Sequence, residues 1–493
     1  MMTHIPAPMT RREHDLLGDR DLPAEVYWGV HTLRAIENFP ISGTRIGEVP
    51  DLIIALAAIK EAAACANAGL GLLDLPRRDA IVAACQEIRA GRWHDQFVVD
   101  QIQGGAGTST NMNANEVIAN RALEIMGQPL GRYDLLHPNE HVNLSQSTND
   151  VYPTALKLAA FAGIVRLIAA MASLRGAFAE KAVEFADVLK MGRTQLQDAV
   201  PMTLGQEFNT FAIMLGEDEA RLTEALQLIL EINLGGTAIG TGITTDPAYA
   251  ARVCAELARI TGLPVVPAFD LIEATQDCGA FVQLSGVLKR VAVKLSKTCN
   301  DLRLLSSGPR AGLGEINLPA MQAGSSIMPG KVNPVIPEVV NQVAFEVIGN
   351  DVTISFAAEA GQLQLNAFEP MIAYSLFRSV RHLEAACRTL ETRCIRGITA
   401  NRDALRASVE NSIGLVTALN PILGYEAATR LALEAHHSGL SIPDLARRQG
   451  LLTEAQLAAV LNPEVLTRPQ RQAAAKPVGA GRVRRDNGLG QRR

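Results

Sequence analysis

Aromatic residues make up only 4% of this 493-residue chain. Strand-rich folds draw on aromatic and β-branched side chains. Here Ala, Leu and Ile carry the apolar content, which favours packed helices over a sandwich or barrel. There are just seven cysteines: Cys65, Cys85, Cys254, Cys278, Cys299, Cys387 and Cys394. They are odd in number, dispersed and without a CxxC pair, so they offer no disulfide framework and read as buried reduced thiols. That fits a cytoplasmic protein. No segment offers the ~18–20 uncharged apolar residues that a membrane span requires. The most apolar stretch, Ala155–Phe178, is broken by Lys157, Arg166 and Arg175. Residues 1–15 carry charges and no apolar core, so no secretory signal is expected.

The length exceeds one ordinary core and predicts two or three domains. Net charge is −5 but unevenly spread. Residues 468–493 hold eight Lys/Arg against one acid, so the tail is +7 and the body about −12. An acidic body is a poor start for binding nucleic acid. The Gly/Arg/Gln-rich tail reads as disordered, with RNA or a membrane surface as the alternative contacts for its charge.

Helical periodicity dominates. Asp51–Ala68 and Arg77–Ala90 read as amphipathic helices, and Leu156, Ile164, Leu167, Met171 and Leu174 recur at three- and four-residue spacing. Leu204, Phe208, Phe211, Leu215, Leu222, Leu226 and Leu230 predict a helix from Pro201 to Leu234, with Pro201 in its first turn and Gly235 past its end. Ala280–Leu305 and Ile336–Glu359 predict two more long helices. Such lengths call for a bundle, and the surplus apolar stripe for packing between subunits. The domains are read as 1–148, a central long-helix bundle 149–400, a small helical domain 401–466 and the tail 467–493.

Polar islands interrupt the helices: Gly104–Asn115, read as a loop entering a helix at Asn115, then Asn143–Asp150, Gly192–Asp198 and Gly324–Asn333. Functional groups concentrate on such loops. His137-Pro-Asn-Glu140-His141 matches an inverted zinc-protease pattern, but Pro138 fits only a first helical turn and no third ligand is evident, so a polar loop is expected. Gly324–Lys331 departs from a phosphate loop: five residues separate its glycines and Val332 stands where a Mg²⁺-binding hydroxyl belongs. The Ser pair, Lys331 and Asn333 instead suit a small anion such as a carboxylate. With Thr108, Ser109, Thr110 and Asn111, with Ser145, Ser147, Thr148 and Asn149, and with Arg193-Thr194-Gln195, they describe a pocket of many neutral hydrogen-bonding groups with one or two cations, suited to a small dicarboxylate.

Gly324-Ser-Ser-Ile-Met-Pro-Gly-Lys-Val-Asn-Pro334 resembles the G-S-S-x-M-P-x-K-x-N signature of the fumarase/aspartase superfamily, and the likeness runs from about Glu13 to Leu466. Tyr27–Phe39, Gly104–Ser109, Gln146–Asp150 and Met191–Asp198 are similar to the corresponding blocks of its aspartase branch. The resemblance implies an all-α fold of three domains, a homotetramer built on long central helices, and active sites each shared by three subunits. It implies reversible elimination of ammonia from L-aspartate to give fumarate, with neither cofactor nor metal, and no nucleic-acid or membrane partner. Ser325 would take the C3 proton as general base. Lys331, Asn333 and Thr194 would hold the α-carboxylate, and Ser147, Thr148 and Ser326 the β-carboxylate. Thr108 and Asn149 would contact the amino group. Where many members carry His after the G-R-T motif this chain has Gln195, which can hydrogen-bond but not titrate. That removes general-acid help from this position and counts against the fumarase alternative. A catalytically silent relative is the other alternative, against which the retained Ser325, Lys331, Asn333, Thr194 and Asn149 argue.

Overall fold

A computed structural model of the chain describes residues 9–324 and 327–469. The expectations for Ser325, Ser326 and most of the basic tail therefore lie outside the described residues. The fold is all-α apart from short two-stranded ribbons. It divides into two compact units. One comprises residues up to Lys181 with Asn209–Thr399, the other Ala182–Phe208 with residues from Ala400 onward.

The first unit opens with an antiparallel hairpin, β1 (Thr10–Asp15) against β2 (Gly18–Pro23). Then follow α1 (Val30–Asn38), α2 (Pro50–Gly69), α3 (Leu75–Arg89) and α4 (Thr108–Ile125). The long helices α5 (Thr148–Glu184) and α6 (Leu204–Leu228) begin the bundle. After α7 (Tyr249–Thr261) and α8 (Leu271–Gln276), α9 (Gly279–Leu305), α10 (Val335–Glu359) and α11 (Glu369–Arg393) complete it. The apolar spacing read along α5 is its buried face, from Leu156 to Leu174. Phe178 of α5 meets Phe211 of α6 at a ring distance of 5.4 Å. Polar ties fix the helix register: Asp351 on α10 accepts from Ser285 (2.8 Å) and Lys289 (2.6 Å) of α9, and Asn350 donates to Ser379 of α11 at 3.1 Å. On α10, Phe345, Val352 and Phe356 stay exposed at seven- and four-residue spacing.

The second unit holds the hairpin β3 (Leu189–Thr194) and β4 (Gln197–Thr203). Helices α12 (Arg402–Asn411), α13 (Asn420–Leu423), α14 (Tyr425–Ser438), α15 (Ile442–Arg448), α16 (Glu454–Val460) and α17 (Pro463–Leu466) follow. Leu431, Ala435, Ile442, Leu445 and Leu457 are among the residues of its core.

Helix ends correct the sequence reading, and α6 stops at Leu228, six residues before the expected Leu234. Pro201 lies in β4 opposite Met191, and α6 starts three residues later. The start is set by Thr203 and Gln206: the Gln206 N–H donates to the Thr203 hydroxyl (3.0 Å) and the Thr203 N–H to the Gln206 side chain (2.9 Å). This reciprocal capping box satisfies two otherwise orphaned N–H groups and outweighs the preference of Pro for a first turn. Likewise α4 begins at Thr108, seven residues before the expected Asn115. Two helices, α2 and α5, are long and apolar enough by length and composition to cross a membrane, despite the charges they carry. In their most apolar stretches 78% and 56% of residues are buried within the fold, as in core helices.

Candidate active site

Two polar islands meet where α4 and α5 begin. Gly107, at φ +87°, turns the chain into α4. A Cβ there would lie 2.4 Å from the ring of Tyr152, on the opening turns of α5, so only glycine permits this approach. Thr108 then stands exposed at the first position of α4. Across from it, Ser147 starts α5: its hydroxyl accepts from the Asn149 N–H (3.2 Å) while Asp150 accepts from the Ser147 N–H (2.9 Å). The second oxygen of Asp150 takes the N–H groups of Gly235 (2.9 Å) and Thr237 (3.0 Å). Burial pushes the Asp150 carboxyl up to about 6 against those donors. Asp150 thereby pins Ser147, the helix and the 235–237 turn together. The two neighbouring helix N-termini add N–H groups and positive dipole ends, which favour an anion.

The hydrogen-bond polarity of the candidate residues sorts into two classes. Thr148 Oγ1 accepts from the Asn111 side-chain amide at 3.1 Å, and Ser147 Oγ accepts from Asn149. Each hydroxyl has thus spent acceptor capacity on the protein and keeps its proton to donate, which suits a carboxylate. Thr108 Oγ1 instead donates to the Gly105 carbonyl (2.6 Å), and Asn149 Nδ2 donates to the Ala238 carbonyl (2.7 Å). These two keep oxygen lone pairs to offer, which suits an ammonium group.

Behind Thr148 lies a network whose buried cation, Lys60, the sequence reading did not single out. Asn143 Oδ1 accepts from Lys60 Nζ (2.8 Å), Asn111 Nδ2 (3.1 Å) and Asn115 Nδ2 (3.2 Å). Lys60 also donates to Gln146 Oε1 at 2.9 Å and has no exposed surface. Burial drives its ammonium down to about 7, with Asp150 opposing the shift. The available signal was a lysine inside an Ala-rich helix whose other charges are Asp51 and Glu61.

The remaining candidates belong to other segments. A Cβ on Gly324 would fall 1.5 Å from the Lys331 carbonyl oxygen, so only glycine permits this approach of the two residues. Lys331 is exposed and Asn333 half-buried just before α10. Among the described residues no hydrogen bond ties either side chain to Thr108 or to 147–149. Thr194 and Gln195 belong to the other unit, at the tip of the β3–β4 hairpin. Both central residues of that turn, Gln195 (φ 53°) and Leu196 (φ 63°), are left-handed, a conformation usually given to Asn and Gly. Strain of this kind, about 1–3 kcal/mol per residue, gathers at functional sites. The 137–141 motif forms one wide turn with Pro138 at its start. Its His137 and His141 Nδ1 atoms accept backbone N–H groups, and the described residues contain no metal-binding cluster.

Comparison with known proteins matches residues 18–349 to the family described as lyase, and residues 415–468 to the fumarase C C-terminus. The chain is 61% identical over 461 residues to an aspartate ammonia-lyase of Pseudomonas fluorescens, covering 93% of this chain and 96% of that one. To the aspartate ammonia-lyase of Escherichia coli it is 55% identical over 464 residues, covering 94% and 97%. A solved Brucella melitensis protein, described as fumarate lyase:delta crystallin bound to cobalt, superposes with a TM-score of 0.92 at 56% identity, covering 94% of this chain and all of that one. A class II fumarase of Schistosoma mansoni gives 0.86 at 36% identity, covering 92% and 98%.

Proposed function

The chain belongs to the fumarase/aspartase lyase superfamily, and from that premise we propose that it is an aspartate ammonia-lyase, eliminating ammonia from L-aspartate to give fumarate. The observation that carries the reading is 55–61% identity to aspartate ammonia-lyases along more than nine-tenths of the chain. The split between proton-offering and lone-pair-offering side chains supports it, because aspartate brings carboxylates and an ammonium to one place.

Removal of the weakly acidic C3 proton puts charge onto the adjacent β-carboxylate. Rate then depends on donors already aimed at that carboxylate, each worth about 2.7–4 kcal/mol in comparable holes. Ser147, Thr148 and Ser326 fill this role, with the hydroxyl protons of the first two left available by Asn149 and Asn111. Ser325 takes the proton, Lys331, Asn333 and Thr194 hold the α-carboxylate, and Thr108 and Asn149 receive the amino group. Gln195 adds a hydrogen bond without titrating. A serine base must approach an alkoxide, so loop N–H groups and the Lys331 charge have to lower its pKa. This chemistry needs no cofactor.

The enzyme is read as a cytoplasmic homotetramer with each site drawn from three subunits, its domains dividing at 148, 400 and 466. Two features support the assembly: the exposed Phe345, Val352 and Phe356 face of α10, and the dispersal of the polar islands along the chain. The test is ultraviolet absorbance of fumarate, with L-aspartate and with L-malate in separate cuvettes. Product from aspartate alone is expected. Product from malate alone means a fumarase, and none from either means a silent relative. Ser325→Ala should then abolish turnover with aspartate affinity within about tenfold, and Lys331→Ala should chiefly raise KM; the reverse pattern overturns those roles.

A further inference from the structure

Lys60 is a fully buried lysine whose partners are two neutral amides, Asn143 Oδ1 at 2.8 Å and Gln146 Oε1 at 2.9 Å. Burying an ammonium without a carboxylate in contact is costly, and no part of the mechanism above uses it. Its contacts lead to the site. Asn143 Oδ1 is shared by Lys60, Asn111 and Asn115, so all three donors point at one oxygen. The opposite edge of the same amide is committed too, since Asn143 Nδ2 donates to the Gln146 carbonyl at 3.2 Å. Gln146 is fixed in turn, its Nε2 donating to the carbonyls of Val142 and Leu144. With Lys60 present, a flip of the Asn143 amide would set N–H against Nζ and against two amide N–H groups. The oxygen therefore stays toward Asn111, and the Asn111 NH2 bridges Asn143 and Thr148 at 3.1 Å each.

We propose that Lys60 is a positioning residue for the reaction: through Asn143 it fixes Asn111 as a donor to Thr148 and so keeps the Thr148 proton directed at the substrate carboxylate. This rests on the reading of Thr148 as a β-carboxylate ligand. Two N–H groups suffice for the two contacts, so the relay operates whether Lys60 is charged or neutral. A lysine serving only to fill the core would have no energetic tie to the hydroxyl of Thr148, and that difference makes the proposal testable.

The experiment is a double-mutant cycle on kcat and KM for L-aspartate, using Lys60→Met, Thr148→Val and the pair in the full-length enzyme, with circular dichroism to check the fold. Lys60→Met should lower kcat by about tenfold to a hundredfold, more than it raises KM. In the Thr148→Val background the same change should cost less than about threefold, because the group it positions is gone. Equal losses in both backgrounds overturn the proposal. Where Lys60→Met fails to fold, Asn111→Ala takes its place in the cycle. The relay passes through Asn111, so additivity there overturns the proposal and coupling supports it. A wild-type enzyme that makes fumarate while Thr148→Val leaves kcat and KM unchanged removes the Thr148 assignment and this inference together. A wild-type enzyme inactive on aspartate refutes the functional reading itself.

Discussion

Gly107→Ala should disable the site through one methyl group. Gly107 sits at φ +87°, where an L-residue loses about 1–2 kcal/mol. Its new Cβ would lie 2.4, 2.5 and 2.7 Å from Cγ, Cδ1 and Cδ2 of Tyr152. Carbon atoms prefer about 3.5–4.0 Å, so α4 and α5 must separate by roughly an ångström or the ring must move. Tyr152 is 2% exposed and anchored in α5, which leaves it little room. Overpacking of this kind costs about 1–3 kcal/mol, for a total of about 2–5 kcal/mol. The separation falls directly on the Asn111–Thr148 contact at 3.1 Å, and displacements of about 1 Å in such geometry cost on the order of a hundredfold in rate. Thermal melting should show a drop of several degrees, and fumarate formation a loss of about two decades in kcat/KM. Adding Tyr152→Ala should recover part of the loss in melting temperature, since it removes the ring that is struck. A Gly107→Ala enzyme with the wild-type melting temperature and a rate within twofold would refute the reasoning, and with it the claim that α4 and α5 are held at fixed separation here.

At the β3–β4 tip, Leu196 is exposed at φ 63°, so Leu196→Gly should raise thermal stability by about 1 kcal/mol; an unchanged or lower melting temperature would mean that the turn is not strained. Glu369 is buried near Lys157, and burial pushes its carboxyl up to about 8 from 4.5. It is therefore neutral in the folded enzyme and ionised in the unfolded chain over that range, and the stability it contributes below pH ~4.5 is lost as pH rises toward ~8. Glu369→Gln should flatten this part of the stability–pH profile, and a parallel decline in the variant would rule Glu369 out as its cause.

What could be read without coordinates follows from which interactions are local. The α5 and α6 stripes were legible because burial at three- and four-residue spacing is written along the chain. The signature at 324–334 was legible because its glycines, hydroxyls and cation stand in consecutive order in the sequence. The α6 start was misplaced although its signal was present: Thr203-Leu-Gly-Gln206 is a capping pattern, and Pro201 drew the boundary instead. The α4 start was hidden for a different reason. Thr-Ser-Thr-Asn reads as loop because these side chains compete with the helical backbone. Here the side chains of Asn111 and Asn115 bond Asn143 of a distant segment, and that of Thr110 bonds Gln103, so tertiary partners relieve the competition.

The same contrast explains why the supporting groups were missed while the candidate substrate ligands were found. Thr108, Ser147, Thr148 and Asn149 announce themselves by clustering in polar islands. Lys60 lies among alanines in α2, and its meaning depends wholly on Asn143, 83 residues away. A lysine can also reach to solvent along an apolar face. The physical cue is that α2 carries only Asp51, Lys60 and Glu61 as charges among mostly buried apolar residues, and a buried cation requires a polar partner. It points from Lys60 to a polar island beyond α2, and in this chain the island so reached is the one that begins α5.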